Sequence, residues 1–391
     1  MDLRLSAADL DVQRRAREFT DEHLIPYEAE VEETEEISEG SLRKITEACL
    51  DAGLYAMNHE KEDGGAGLSI FHQLIASEQM GRATNGLWWL AWRPAIPLRF
   101  GTPEQKREYL LPACRGERRD AYGVTEAGAG SDPTGISASA RREGGEYVIN
   151  GEKWFLTAAN LADFLMVHAH VDGDPSKPTV FLVEKDAPGV RFVRTPRYMH
   201  TYVVHHPIVA FEDVRVPAEK VLGEVGEGFD LTKDWFVEAR LLIGAYTIGA
   251  SERALELALD WARERVTFGH PLIENQAISF ALADMATELA VSRAYLYRVA
   301  WQASSGDVDR RQIHALAASL KLHSTESEGR IVDQAVQIMG GRGYMREHPV
   351  ERLYREARVE RIWEGSSEML RLVIGRELAK RGTGVYAGWP Q

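Results

Sequence analysis

The chain is predicted to be an α+β protein in three successive blocks: helical over residues 1–120, β over 121–227, and a helix bundle over 228–391. Three observations predict it. Apolar residues recur at helical spacing in the first block, at Leu10, Val12, Ala16, Phe19 and Leu24. Near Ala121 the texture changes to short apolar runs broken by Gly, Pro, Asp and Asn. After Gly228 long helical periods return.

The elements follow in order. Pro26 closes the first helix, because proline cannot donate to the helical ladder. Leu42, Ile45, Ala48, Cys49 and Ala52 mark a second helix that Gly53 ends. Gly64-Gly65-Ala66-Gly67 reads as a turn, and a helix is expected over 69–81. Trp88, Trp89 and Trp92 then crowd together before Pro94 and Pro97. In the β block, strands are expected at Tyr147-Val148-Ile149, Phe164-Leu165-Met166-Val167, Val180-Phe181-Leu182-Val183 and Ile208-Val209-Ala210-Phe211. Asn150-Gly151 is expected to be a hairpin turn. In the last block, Leu241, Ala245, Ile248 and Leu255 mark one long helix, and Ile278, Leu282, Met285 and Leu289 a second. Ile313, Leu316, Ala317 and Leu320 mark a third that runs on toward Met339.

A chain of 391 residues has room for two or three cores. No apolar stretch reaches the length that spans a membrane, and the N-terminal residues lack the pattern of a secretory leader. Cys49 and Cys114 support neither a disulfide framework nor a cysteine zinc site. A cytoplasmic protein with no metal and no membrane partner is therefore expected. The net charge of −14 argues against a nucleic-acid surface, so any anionic ligand must be held by local basic residues.

Two stretches carry candidate chemistry. In Arg361-Ile362-Trp363-Glu364-Gly365-Ser366-Ser367-Glu368, a carboxylate precedes a glycine and two helix-capping hydroxyls. Glu364 stands there beside apolar bulk, the setting of a general base with a shifted pKa, although a capped helix with an ordinary acid has the same pattern. In Ala121-Tyr122-Gly123-Val124-Thr125-Glu126-Ala127-Gly128-Ala129-Gly130-Ser131-Asp132, small residues and hydroxyls line one rim. A flat heterocycle or a phosphate fits such a rim, and so does a plain interdomain loop.

This second stretch resembles the signature of the acyl-CoA dehydrogenase family. Other family patterns recur in order: Gly151-Glu152-Lys153-Trp154-Phe155-Leu156-Thr157, then Arg265-Val266-Thr267-Phe268-Gly269 with Gln276, then Gln337-Ile338-Met339-Gly340-Gly341. The resemblance runs from about Leu5 to Leu378. It implies an N-terminal helical domain, a central β-barrel-like domain and a C-terminal four-helix bundle. It also implies FAD as cofactor. Tyr122, Val124 and Thr125 take the positions that meet the flavin ring, with Phe155 and Thr157 beside it. Gly130 and Ser131 match contacts to the cofactor phosphates, and Ser131 also matches one to the thioester arm. Arg265, Thr267, Phe268, Gln276, Gln337, Gly340 and Gly341 match cofactor contacts made from a neighbouring subunit, which implies a homotetramer built as a dimer of dimers. Ser366 and Glu368 match further cofactor contacts. Arg240 and Gly365 are expected at the acyl-CoA.

The implied reaction is oxidation of an acyl-CoA thioester to the trans-2,3-enoyl-CoA, as in fatty acid metabolism. Glu364 would take the α proton while the flavin takes the β hydride. The Glu364 N–H and a flavin ribityl hydroxyl would hold the thioester oxygen. Electrons would pass on to an electron-transfer flavoprotein. Some family members carry the base directly before the arginine that matches Arg240; here that residue is Ala239, and Glu238 is turned away by roughly 100° on a helix. Glu238 is expected to be solvated or near the CoA. Phe155 stands where Trp is usual, and Trp363 where Tyr is usual. Trp88, Trp89 and Trp92 fall in the segment that bounds the acyl pocket, with packing in a helical core the alternative. Arg82 and Arg93 are expected in surface or interface pairs. Alternatives on the same scaffold are an enoyl-CoA reductase, an acyl-CoA oxidase, a lyase and a non-catalytic flavoprotein.

Overall fold

The computed structural model describes residues 4–306 and 308–387. The first block is helical: α1 (Ala7–His23), α2 (Glu28–Thr34), α3 (Glu39–Asp51) and α4 (Ile70–Met80). Ser6 and Asp9 form a reciprocal capping box at the start of α1, and Ser69 caps α4. Short turns of helix follow, including α5 (Pro103–Gln105) and α6 (Leu111–Cys114). The tryptophan segment is buried between these pieces. The Trp92 indole donates to Asp120 Oδ1 at 3.0 Å, which ties the helical block to the first strand.

The β block is an eight-stranded sheet. Its strands are β1 (Asp120–Gly123), β2 (Ser139–Glu143), β3 (Glu146–Lys153), β4 (Phe164–Val171), β5 (Pro178–Glu184), β6 (Val190–Arg194), β7 (Ile208–Pro217) and β8 (Val221–Leu222). They lie in the order β6-β7-β3-β2-β4-β5-β8, with β1 added in parallel to β4. Ile149, Leu165, Val167, Phe181 and Phe211 form a core belonging to this block. The four expected strands are present. The expected Asn150-Gly151 hairpin turn is not: β3 runs straight through it, and the β2–β3 reversal falls at Gly144-Gly145. Asn150-Gly151 is a register shift against β7. The Asn150 amide donates to Asp213 Oδ1 and its oxygen accepts the Asp213 N–H, both at 3.0 Å. A bulge and a two-residue turn both call for Asn-Gly, and here the bulge has a paired aspartate to close it.

The last block holds α7 (Gly228–Glu264), a small hairpin of β9 (Val266–Thr267) and β10 (His270–Pro271), α8 (Gln276–Ser305), α9 (Arg310–Met339), α10 (Pro349–Glu360), α11 (Ser367–Arg381) and α12 (Gly384–Ala387). The middle of α7, from Arg240 to Ser251, is buried on every side, because α4, α8 and α9 all pack around it. The two helical blocks therefore share one hydrophobic core. Glu28 of α2 pins them together by buried pairs to Arg253 of α7 and Arg352 of α10. No described helix is long and apolar enough to cross a membrane.

Candidate active site

Glu364 sits in the turn between α10 and α11. Ser366 caps α11, accepting from the Met369 N–H, so the chain must reverse within a few residues. It does so with φ of +52° at Glu364 and +99° at Gly365. A left-handed glutamate is strained and needs support from its surroundings. Two cations give it. Lys321 Nζ donates to the carbonyls of Trp363 and Gly365 at 2.6 and 2.8 Å. Arg240 Nε donates to the Glu364 carbonyl at 3.1 Å. Three successive carbonyls are thus drawn toward α7 and α9, and the carboxylate is fixed on a rigid turn.

The carboxylate itself has no such partner. Glu364 Oε2 is shut from solvent and makes no hydrogen bond. Burial raises its pKa, against the opposing pull of Lys321 and Arg240. Glu360, one helical turn earlier, accepts the Trp363 indole N–H at 2.7 Å, and burial lifts it to about 7. Burial lowers Lys321 to about 8 even though Glu360 and Glu364 oppose the change.

The 121–132 stretch begins on β1 and leaves the sheet at Val124. Tyr122 turns its hydroxyl into the interior, against Thr232 Oγ1 at 2.8 Å and His168 Nε2 at 2.9 Å. Behind the loop, Glu126 accepts from Lys153 Nζ at 2.8 Å, from the Ser137 N–H and hydroxyl at 2.6 Å, and from the Ala138 N–H at 3.0 Å. This buried pair fixes the rim. The Val124 carbonyl accepts from Lys153 and the Thr125 carbonyl from the Trp154 N–H. These bonds bring the rim beside the Phe155–Thr157 turn. Gly128, Gly130 and Ser131 remain exposed, with open space where a Cβ on either glycine would stand. Phe155 is 47 % exposed in a left-handed conformation. Thr157 Oγ1 lies 2.9 Å from His206 Nδ1.

A second set of expected residues lies elsewhere. Arg265 caps the end of α7, Thr267 and Phe268 are on the β9–β10 hairpin, and Gln276 begins α8. Gln337 is near the end of α9, and Gly340 and Gly341 follow it. Arg265, Phe268, Gln276, Gln337, Gly340 and Gly341 are exposed. Among the described residues no hydrogen bond links this set to Glu364. Gln337 borders a cleft of about 710 Å3 between the 195–206 loop and α10. Glu368 is exposed in the first turn of α11.

Two expectations need correcting. Glu238 is neither solvated nor free for CoA: it is buried and ion-paired with Arg93. Arg82 and Arg93 are not surface residues: both side chains are nearly buried, Arg82 reaching the partly buried Glu252 and the half-exposed Glu256, and Arg93 the buried Glu238. Packed helices surround both arginines, so each charge needs a counter-ion close at hand. Reading from sequence missed Lys321, Glu360 and His206. Lys321 left a trace, as a lone lysine within the apolar stripe Leu316, Ala317, Leu320.

Fold and site together define a helical–β–helical protein with a glutamate on the turn before a helix, one carboxylate oxygen shut from solvent and without a partner. The chain belongs to the acyl-CoA dehydrogenase family. The description "Acyl-CoA dehydrogenase, N-terminal domain" matches residues 6–117, the middle domain 121–214 and the C-terminal domain 226–379. The chain is 34 % identical over 385 residues to a benzylmalonyl-CoA dehydrogenase of Aromatoleum aromaticum, covering 97 % of this chain and all of that one. It is 32 % identical over 376 residues to a 3-(aryl)acrylate reductase of Clostridium sporogenes, covering 94 % and 98 %. An acyl-CoA dehydrogenase of Bacillus anthracis solved in complex with FAD superposes with a TM-score of 0.88 at 29 % identity, covering 97 % of this chain and 68 % of that one.

Proposed function

We propose that the protein binds FAD and oxidises an acyl-CoA thioester to its 2,3-enoyl-CoA, with Glu364 as the base. The buried, unpartnered Glu364 Oε2 on a turn held by Lys321 and Arg240 carries this reading. The chain's residues fit the cofactor. The open glycines of the 121–132 rim and the exposed Phe155 offer a flat apolar face beside hydroxyls, and the rigid β block backs them. Bound FAD supplies the acceptor for the hydride that leaves the β carbon.

The protein's own work is to hold and to deprotonate. Glu364 takes the α proton, and the electron pair of that C–H bond forms the new double bond as the β hydride departs. A carboxylate kept dry has a raised affinity for that proton, which makes it a stronger base for a weak carbon acid. Among the described residues the Glu364 N–H donates to no protein acceptor, so it is available to a thioester oxygen that gains charge. Arg240 and Lys321 keep base and N–H in one geometry. Electrons then leave to an electron-transfer flavoprotein. The assembly is a homotetramer, because Arg265, Thr267, Phe268, Gln276, Gln337, Gly340 and Gly341 serve the cofactor of a neighbouring copy. The setting is cytoplasmic.

A second reading runs the same chemistry toward reduction of an enoyl thioester. The reductase name of one relative motivates it. One experiment separates the outcomes. Acyl-CoAs added to the oxidised protein without oxygen are expected to bleach the flavin absorbance. Glu364→Gln is expected to retain flavin and lose the bleaching. Normal turnover by that variant would overturn the assignment of the base, and reoxidation of a pre-reduced flavin by enoyl-CoA without any bleaching by acyl-CoA would favour the second reading.

A further inference from the structure

The turn that carries Phe155 and Thr157 is held from behind by the loop between β6 and β7. The Leu156 N–H donates to the Pro207 carbonyl at 3.0 Å, and the Ala158 N–H to the His205 carbonyl at 2.8 Å. Phe155 and Ala158 are both left-handed, so this short turn is strained and needs such a clamp. His206 lies between the two backbone bonds, and its Nδ1 is 2.9 Å from Thr157 Oγ1. The Tyr198 hydroxyl donates to the His206 carbonyl at 2.8 Å, which fixes the loop in turn. The imidazole also meets the Trp363 ring edge to face, with centroids 6.0 Å apart. One buried ring therefore touches both the Thr157 turn and the residue before Glu364.

Burial and the lack of a second partner decide the tautomer of His206. The residue is 4 % exposed. Burial, with His200 and His205 nearby, lowers its pKa to about 3. The ring is therefore neutral near pH 7 and carries one N–H. Among the described residues Nε2 has no partner, and no solvent reaches it. A proton on Nε2 would be an orphaned buried donor, which folded proteins rarely tolerate. The proton belongs on Nδ1, where it is donated to Thr157 Oγ1. The Thr157 hydroxyl then accepts from His206, and its own proton must point elsewhere. Among the described residues the acceptor in reach is the Phe155 carbonyl at 3.3 Å, long for an O–H···O bond. Thr157 is only partly buried, so a better acceptor can approach it from the Phe155 side.

We propose that His206 is a positioning residue for the flavin: its Nδ1–H bond turns the Thr157 hydroxyl proton outward, as a donor to an acceptor atom of the ring lying against Phe155. The N5 and C4-carbonyl edge of an oxidised flavin carries acceptors only, so a fixed donor matches it. The opposite tautomer would draw the Thr157 proton inward to His206 and leave the ring facing a lone pair. This proposal rests on the reading that FAD sits on the 121–132 rim.

The test measures how tightly the loaded protein holds FAD, from the flavin fluorescence released on dilution, in a double-variant cycle. Thr157→Val and His206→Leu are each expected to weaken FAD binding by on the order of 5- to 10-fold, the net worth of one hydrogen bond. The double variant should be no weaker than Thr157→Val alone, because His206 acts through that hydroxyl. His206→Asn, whose amide N–H falls near Nδ1, should keep the native affinity and the native visible absorption band of the bound flavin. His206→Gln, whose amide reaches past Nδ1, should behave like His206→Leu and replaces it if that variant does not fold. Losses that multiply in the double variant, or native affinity in both His206→Leu and His206→Gln, would overturn the positioning role. If Thr157→Val itself kept the native affinity and absorption band, the placing of the flavin at this turn would fail, and the role of His206 with it.

Discussion

A carboxyl group buried without a counter-ion holds its proton longer than one in water, and that has a measurable cost to the fold. Glu360 is held at about 7 against an ordinary 4.5, chiefly by burial, with Lys321 drawing it down and Glu364 pushing it up. Between those values the folded chain keeps a proton that the unfolded chain has lost. Stability from this group is therefore full below pH 4.5 and falls as pH rises toward about 7. Glu328 and Glu356 shift in the same direction and add to the slope. Glu360→Gln keeps an acceptor for the Trp363 indole while removing the charge. It is expected to raise the melting temperature above about pH 7 and to flatten its decline between pH 4.5 and 7. Thermal scans across that range check it; a steeper decline in the variant would show that Glu360 is ionised in the fold.

Secondary structure decides where such residues are aimed, and there the β3 bulge is the sharpest case. A Cβ on Gly151 would lie 2.6 Å from the Ala138 Cβ and 2.7 Å from its Cα, at a φ of +148°. Gly151→Ala is expected to destabilise by roughly 1–3 kcal/mol. Urea unfolding should show this as a lower midpoint with an unchanged slope. Bleaching should slow as well, because Lys153 and the Thr157 turn follow directly along the chain. The same residues show what is legible in a sequence. The long helices were, since their apolar stripes repeat over many turns. The order of helical, β and helical blocks was legible for the same reason. Asn150-Gly151 was misread because the dipeptide specifies a backbone conformation and leaves open whether a turn or a bulge uses it; the partner that settles it, Asp213, lies 63 residues away. The place of Glu364, on a turn just before a capped helix, was legible through its motif. Lys321, which holds the turn, and Glu360, which shares its burial, were not, because their roles come from two helices meeting.

At the scale of the whole molecule, the feature that calls for explanation is apolar surface left in water. Phe268 is fully exposed at 101 %, at the tip of the β9–β10 hairpin, and Val266, Phe280 and Tyr344 are exposed at 57, 59 and 85 %. Burying one such aromatic ring is worth about 2–3 kcal/mol, so a stable chain gains by covering them. Each of these residues lies in or beside a segment that we propose serves the cofactor of a neighbouring copy, so a single interface would cover the rings and complete the site. Phe268→Asp tests the two together. Phe268 has a φ of +52°, a conformation that Asp tolerates well, so backbone strain would not confuse the result. The variant is expected to elute as a smaller species in gel filtration, to lose FAD during that passage, and to keep its helical circular dichroism. The Glu364 turn is built within one chain, so adding excess FAD should restore part of the bleaching. If the variant kept both its assembly and its flavin, the hairpin would be a solvent-facing loop and the shared cofactor site would have to be placed elsewhere.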